Sequence, residues 1–366
     1  MLFSLIVLAF IFITGLVIGS FMNVVILRTV SGESIVFPAS KCPKCQTPLK
    51  WYHNIPILSY LFLRGKCAFC NEHISIQYPI VELFTGLMFV GLFLKFCRPF
   101  DALFGLSVMN PIAWSQVIVY VFSLIIACLF IAIAGTDILE KKVSDAHTIP
   151  LILLGLLYSV IYSILSFIMY SKANGMPKIN LDFFLSCPIL YSVAAGILGF
   201  LIMEAISRLG LVTVGARAFG EGDSYIAAGL GTVFGALLGC SAIYTNFLPI
   251  FKTLLAILVL SGIIQILITL PIFIKKLIVN KNYMTLGALS IFIIYTIGYI
   301  FAQQTGWLTN KVAYWSSTIV LLAIGLAACR ELICGLKDNK AADGLYLPFG
   351  PAMIAAGFIA LFTVVF

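Results

Sequence analysis

The sequence predicts an all-α polytopic membrane protein, with about ten transmembrane helices and one small cytoplasmic zinc-binding insert. Three observations carry this. Of the 366 residues, 62% are hydrophobic and only 10% charged, against roughly half and about a quarter in soluble domains. The apolar residues fall into ten runs of near-spanning length. The only long polar loop contains two C-x-x-C pairs. The composition excludes a soluble enzyme and a disordered tail. The formal charge of +8 comes with no long basic block, so no nucleic-acid partner is expected; membrane lipid is, and the positive excess reports topology.

A helix needs about 20 apolar residues to cross a bilayer. The expected spans are 2–27, 79–96, 113–134, 149–170, 187–206, 224–246, 253–274, 284–302, 313–329 and 347–366. The first has no Lys or Arg before it and no small-residue cleavage site after it. It reads as a retained anchor, with the mature chain starting at or near Met1. If the loop after this span is cytoplasmic, sixteen of the 22 Lys and Arg residues lie inside, among them Arg28, Lys41, Lys44, Lys141, Arg208 and Lys275. That asymmetry puts the N-terminus outside, and an even span count returns the C-terminus there. The expected organisation is a first transmembrane helix (1–27), a cytoplasmic four-cysteine insert (28–78), a catalytic membrane domain (79–247) and additional C-terminal helices (248–366). No convincing internal repeat, low-complexity segment or Gly/Ser linker is seen.

In the insert, Cys42-Pro43-Lys44-Cys45 is followed by 21 residues and then Cys67-Ala68-Phe69-Cys70. Two such knuckles clasp the two sides of a tetrahedral Zn²⁺. The alternatives are disulfides or unrelated thiols, and a reducing cytoplasmic location disfavours disulfides. Four sulfurs close the coordination sphere, so the metal is expected to be structural, folding an insert too small to build its own core. His53 and His73 are read as loop residues outside the ligand set.

Carboxylates at membrane depth are expensive unless solvated, paired or used. Six qualify: Glu82, Asp137, Asp145, Glu204, Glu221 and Asp223. Asp137 closes the third apolar run. Asp145 comes eight residues later, where a helix N-cap role, with Pro150 in the opening turns, is favoured over catalysis. Asp223 ends Gly220-Glu221-Gly222-Asp223 at the start of the sixth run, and the glycines are expected to permit an unwound backbone and close approach by an extended peptide. The basic-loop count brings Asp137 and Asp223 out at the same leaflet on different spans. Two convergent carboxylates in a partly dry site cannot both ionise easily, so they share one proton. The ionised member deprotonates water, which attacks a peptide carbonyl, and its protonated partner donates to the developing oxyanion. No Ser–His or Cys–His arrangement competes, and neither G-x-S-x-G nor H-E-x-x-H occurs.

These residues resemble the bacterial type IV prepilin peptidases, the G-x-G-D class of membrane aspartyl proteases. The resemblance runs over most of the chain. It takes in Gly19-Ser20-Phe21-Met22-Asn23, both C-x-x-C pairs, Asn54-Ile55-Pro56-Ile57, Gln77-Tyr78-Pro79-Ile80-Val81-Glu82, Asp137-x₇-Asp145, Gly220–Asp223 and Leu347-Pro348-Phe349-Gly350-Pro351. It implies a protein of the bacterial cytoplasmic (inner) membrane that removes the short basic leader of prepilins and pseudopilins at the cytoplasmic face. In many members the same protein then N-methylates the new N-terminus from S-adenosylmethionine. The implied catalytic pair is Asp137 and Asp223, supported by Gly220, Gly222 and Asp145, with Cys42, Cys45, Cys67 and Cys70 as zinc ligands. Neither the residues that bind the methyl donor nor an oligomeric state follows from it. Departures are Ser144 where proline is common, Ser224-Tyr225-Ile226 where a lysine-containing segment is usual, and an added segment at roughly 248–335 expected to hold three helices. Competing readings are an ion-coupled transporter, which would place charges near the midplane with matched interruptions in both halves, and a catalytically silent pilus or secretion assembly protein.

Overall fold

The computed structural model describes residues 2–37, 39–97, 111–141, 143–174, 188–214, 219–239, 247–279, 283–304, 311–338 and 348–363. Within them the chain forms helices α1 (Leu2–Ser31), α2 (Leu58–Phe62), α3 (Gln77–Phe96), α4 (Pro111–Glu140), α5 (Asp145–Asn174), α6 (Pro188–Val214), α7 (Glu221–Gly239), α8 (Leu248–Val279), α9 (Tyr283–Gln304), α10 (Lys311–Asp338) and α11 (Gly350–Thr363), plus one 3₁₀ turn at Trp51–Asn54. Among the described residues there is no β-strand, only two isolated bridges in the insert.

Among the described residues, six helices are long and apolar enough to cross a bilayer: Ser4–Ser31, Gln77–Phe96, Gln116–Glu140, Asp145–Ile164, Pro188–Val212 and Leu248–Ile272. Shorter apolar stretches occur at Tyr283–Tyr299, Tyr314–Ala327 and Gly350–Thr363. Each expected span meets a helix, but the count of ten is not established by length and hydropathy. At about 1.5 Å per residue, the 14 residues of α11 reach only some 21 Å of a core about 30 Å thick. Leu347 and residues 364–366, which would extend the last span, lie outside the described set.

The chain divides into two compact units. The first holds residues 1–203, 221–261 and 348–366. Lipid tails are as apolar as the side chains, so close backbone approach, not exclusion from water, joins such helices. α1 lies against α3 in this way: a Cβ on Gly15 would come 2.8 Å from the Gly86 Cα, and one on Gly19 would come 2.7 Å from the Glu82 Cα. α1 ends where Gly32 takes a positive φ of 69°. There the Glu33 amide donates to Arg28 O at 2.9 Å and the Gly32 amide to Thr29 O at 3.3 Å, a glycine-terminated helix end.

α7 is the most enclosed element of this unit, with every residue from Ile226 to Leu238 buried. Its small residues admit neighbours to backbone distance. Gly235 faces the Tyr191 carbonyl of α6, and Gly155 of α5 faces the Thr232 backbone. Ser192 donates across to Thr232 O at 2.8 Å. α11 is held by Phe358, which packs edge-on against Phe84 of α3 and Phe130 of α4. The Lys95 ammonium also donates to Leu361 O at 2.6 Å.

The second unit comprises residues 204–220 and 262–347. Its described part holds the end of α6, the second half of α8, and α9 and α10. α9 and α10 pair through Tyr299 and Thr318, whose hydroxyls lie 2.8 Å apart, and through Tyr295 donating to Ser317 O at 3.3 Å.

Candidate active site and metal centre

Asp137 stands in the last turn of α4. Thr136 beside it bonds back to Ala132 O at 2.9 Å. Lys141 then takes φ 56° and donates its amide to Asp137 O at 2.8 Å, closing the helix. The Asp137 side chain is only 2% exposed. Its Oδ2 has no hydrogen-bond partner among the described residues.

Asp223 is the third residue of α7 and 3% exposed. The motif before it differs from the expected unwound backbone. Glu221, Gly222 and Asp223 are helical, and neither Gly220 nor Gly222 takes a positive φ. The glycine at 222 serves close packing: a Cβ there would meet the Val143 side chain, with Cγ2 at 2.8 Å, in the link between α4 and α5. Gly220 precedes the helix and is half-buried.

The two aspartates are related through α11. A Cβ on Gly350 would overlap Asp137 Oδ2, with Cγ at 3.2 Å, and would lie 2.9 Å from Ile226 Cδ1. Ile226 follows Asp223 by three residues on α7, a spacing that places both on one helix face. The C-terminal end of α4 and the N-terminal ends of α7 and α11 therefore meet in one place, and both carboxylates belong to that end of the bundle.

The other acids are spread elsewhere. Asp145 is the exposed first residue of α5, and the cap position falls on Ser144, whose carbonyl accepts the amides of His147 at 3.1 Å and Thr148 at 3.3 Å. Accordingly, Asp145→Asn should leave stability within about 1 kcal/mol of the parent, the scale of an exposed first-turn charge; thermal melts in detergent check this. Glu204 pairs with Arg208 at 2.8 Å, and Glu221 is exposed. Glu82 has a task that sequence reasoning missed. Buried on α3, it accepts the Ile57 amide at 2.7 Å. It thereby holds a β-branched residue at φ 60°, a conformation that persists only when its surroundings impose it. The signal available was the buried acid itself; its partner lay 25 residues away with no pattern to mark it.

The insert folds as two copies of one knuckle. The Cys42 amide donates to Thr47 O at 3.1 Å, and the Gln46 amide, at φ 58°, returns to Cys42 O at 2.9 Å. The Cys67 amide likewise donates to Glu72 O at 2.8 Å, and Asn71, at φ 55°, returns to Cys67 O at 3.0 Å. This local repetition is faint in the sequence because the two knuckles share only their cysteines and the lysine before each pair, Lys41 and Lys66. All four sulfurs lie within 4.8 Å of one another, and those of Cys42 and Cys70 are 3.9 Å apart. A tetrahedral zinc ion with Zn–S bonds of about 2.3 Å needs sulfurs about 3.8 Å apart, so the donor set fits. The thiols are electrostatically unequal. Thr47 hydrogen bonds pull Cys45 down to about 6. Against a lowering hydrogen bond from the Glu72 backbone, desolvation and the sulfurs of Cys67, Cys45 and Cys42 raise Cys70 to about 11. Four thiolates this close repel, and a divalent cation removes that repulsion. His53 and His73 stay outside the ligand cluster.

Residues 13–96 match the model of the bacterial peptidase A24 N-terminal domain. The prepilin leader peptidase/N-methyltransferase of Myxococcus xanthus is 34% identical over 232 residues, 63% of this chain and 57% of that protein, so the chain spans little more than half of that relative. The proteins of the same name from Klebsiella pneumoniae and Neisseria gonorrhoeae are 30% and 31% identical over 62% and 63% of this chain, covering 85% and 74% of theirs. No solved structure shows significant similarity. An N-terminal domain match, together with relatives aligned over most of their own length, shows that the chain belongs to the prepilin leader peptidase/N-methyltransferase family.

Proposed function

We propose that this protein is a membrane aspartyl endopeptidase that removes the short basic leader of type IV prepilins and pseudopilins at the cytoplasmic face of the inner membrane. The observation that carries the reading is the pair of buried carboxylates, Asp137 and Asp223, at one end of the helix bundle around Gly350 and Ile226. Their positions, in the last turn of one helix and the first turn of another, suit a substrate whose hydrophobic segment stays in the bilayer while its cleavage point reaches the surface. A transporter reading would be better served by acids in mid-helix.

In the proposed reaction one aspartate is ionised and the other protonated. The ionised carboxylate takes a proton from water as the water oxygen bonds to the scissile carbonyl carbon. The protonated partner hydrogen-bonds the carbonyl oxygen as it becomes an oxyanion. Collapse of the tetrahedral species breaks the C–N bond, and a carboxyl proton passes to the leaving amine, which becomes the new N-terminus. Methylation of that amine from S-adenosylmethionine is proposed on the relatives' names alone. Cys42, Cys45, Cys67 and Cys70 would hold Zn²⁺, which supplies folding free energy to the insert and takes no part in hydrolysis.

Incubating the purified full chain with a prepilin from the same cell, and reading the product by intact mass, tests both activities at once. Loss of the leader mass supports the peptidase reading, and a further gain of one methyl group supports the transferase. An unchanged prepilin under conditions where a related peptidase cleaves it would refute the proposal. Orientation has its own test. Single cysteines placed by Glu140→Cys and Glu221→Cys, at exposed neighbours of the two aspartates, with the four insert cysteines kept, should be modified by a membrane-impermeant reagent in inverted vesicles and not in intact cells, as read by peptide mass; labelling from the outer face would overturn the cytoplasmic placement.

A further inference from the structure

The first turn of α11 carries an unusual arrangement of amides. Phe349 O accepts both the Ala352 amide at 3.0 Å and the Met353 amide at 3.1 Å. Pro351 has no amide hydrogen to give. The first four amides of a helix have no acceptor within the ladder, and here all but one are accounted for by the capping carbonyl or the proline ring. The remaining one belongs to Gly350, and it faces the Asp137 carboxylate. That carboxylate is 2% exposed, and its Oδ2 is without a hydrogen-bond partner among the described residues. It rests where any side chain on residue 350 would have to be, since a Cβ there overlaps Oδ2.

We propose that Gly350 is the positioning residue of Asp137: its bare Cα and its single outward amide fix where the carboxylate sits and which of its oxygens is left for water and substrate. This rests on the reading of Asp137 as catalytic. The remaining contacts of α11 explain why the seat is rigid. Phe358 is wedged between Phe84 and Phe130, Leu361 O takes the Lys95 ammonium, and a Cβ on Gly357 would meet Leu230 at 2.8 Å and Phe130 at 3.0 Å. The helix cannot slide away from an added methyl at 350 without breaking these contacts.

The test compares four variants of the full chain with the parent, with kcat and KM for prepilin cleavage measured on the monodisperse, helical fraction. Gly350→Ala should lower kcat by about 100-fold, the scale of an ångström-sized misplacement of a catalytic group, with KM within about threefold. Gly15→Ala, a change at the α1–α3 contact away from α11 and the aspartate, should lower thermal stability while kcat stays near the parent's. Gly350→Ala combined with Ile226→Val deletes the one methyl, Cδ1, that also crowds the new Cβ. It should fold at least as well as Gly350→Ala and stay equally impaired in kcat, and it serves as the test protein if the single variant is not recovered folded. Recovery of kcat in that double variant, or parent-like kcat in Gly350→Ala, would overturn the positioning role and leave a packing role. Asp137→Asn separates the two levels. If it is inactive while Gly350→Ala is fully active, the aspartyl reading stands and this inference fails; if Asp137→Asn cleaves normally, the aspartyl reading itself fails.

Discussion

Asp137→Asn and Asp223→Asn should each abolish prepilin cleavage, with losses of at least about 10³-fold in kcat/KM, while the variants stay inserted and helical. An amide keeps the shape of the carboxyl group but can neither accept a proton from water nor donate one to an oxyanion, and acid–base assistance is worth about 10²–10⁴-fold for one group. Members of such a unit are not additive, so the double variant should be no worse than either single one. Both side chains are almost wholly buried, and replacing a buried acid by a neutral isostere relieves desolvation, so stability should hold or rise. Thermal melts in detergent alongside the cleavage assay separate the two effects. Full activity in either single variant would remove that residue from the dyad. Complete loss with Asp145→Asn beside an active Asp137→Asn would transfer the role to Asp145.

Replacing Cys42 and Cys45 together should eliminate the bound metal, from about one zinc per chain to none by elemental analysis, and unfold the insert locally. Structural zinc in small cysteine sites contributes about 10–16 kcal/mol of apparent binding free energy at neutral pH, far more than the few hydrogen bonds that close each knuckle supply. Limited proteolysis should then cut between residues 32 and 76 and spare the helices. Because ligand thiols must deprotonate, metal loss should also follow acidification, with Zn²⁺ retained above and released below the pH at which protons outcompete it for the sulfurs. A reduced, carefully purified protein that contains no zinc would withdraw the claim.

Composition and the two C-x-x-C pairs were enough to read an all-helical membrane chain and the cysteine cluster, because hydropathy and ligand spacing are local properties written in consecutive residues. Asp137 and Asp223 could be singled out for the same reason: each is a carboxylate at the edge of an apolar run. What the sequence hid is contact at a distance. Gly222 was read as a point of backbone freedom, and it proves to be a helical residue that makes room for Val143. Glu82 was recognised as costly, yet nothing indicated the Ile57 amide. Gly350 lies in Leu347-Pro348-Phe349-Gly350-Pro351, where nothing in the sequence marks its neighbour. The number of spans was also only partly legible, since length and hydropathy qualify six helices, and an enclosed helix such as α7 draws its stability from its neighbours.

The seat of Asp137 on Gly350 has a consequence for how the enzyme comes into being. The two residues are more than two hundred positions apart, and α8, α9 and α10 lie between them in sequence. At about 5–20 residues per second of synthesis, roughly 10–40 s pass after Asp137 is made before the ribosome reaches Gly350. Once Asp223 has been made, for the last 127 residues or about 6–25 s of that interval, the nascent protein owns both aspartates but lacks the residue against which one of them settles. On the aspartyl reading proposed above, proteolytic competence arrives late, after the intervening helices have been delivered to the membrane, so an incompletely inserted chain carries the chemistry without the geometry to use it.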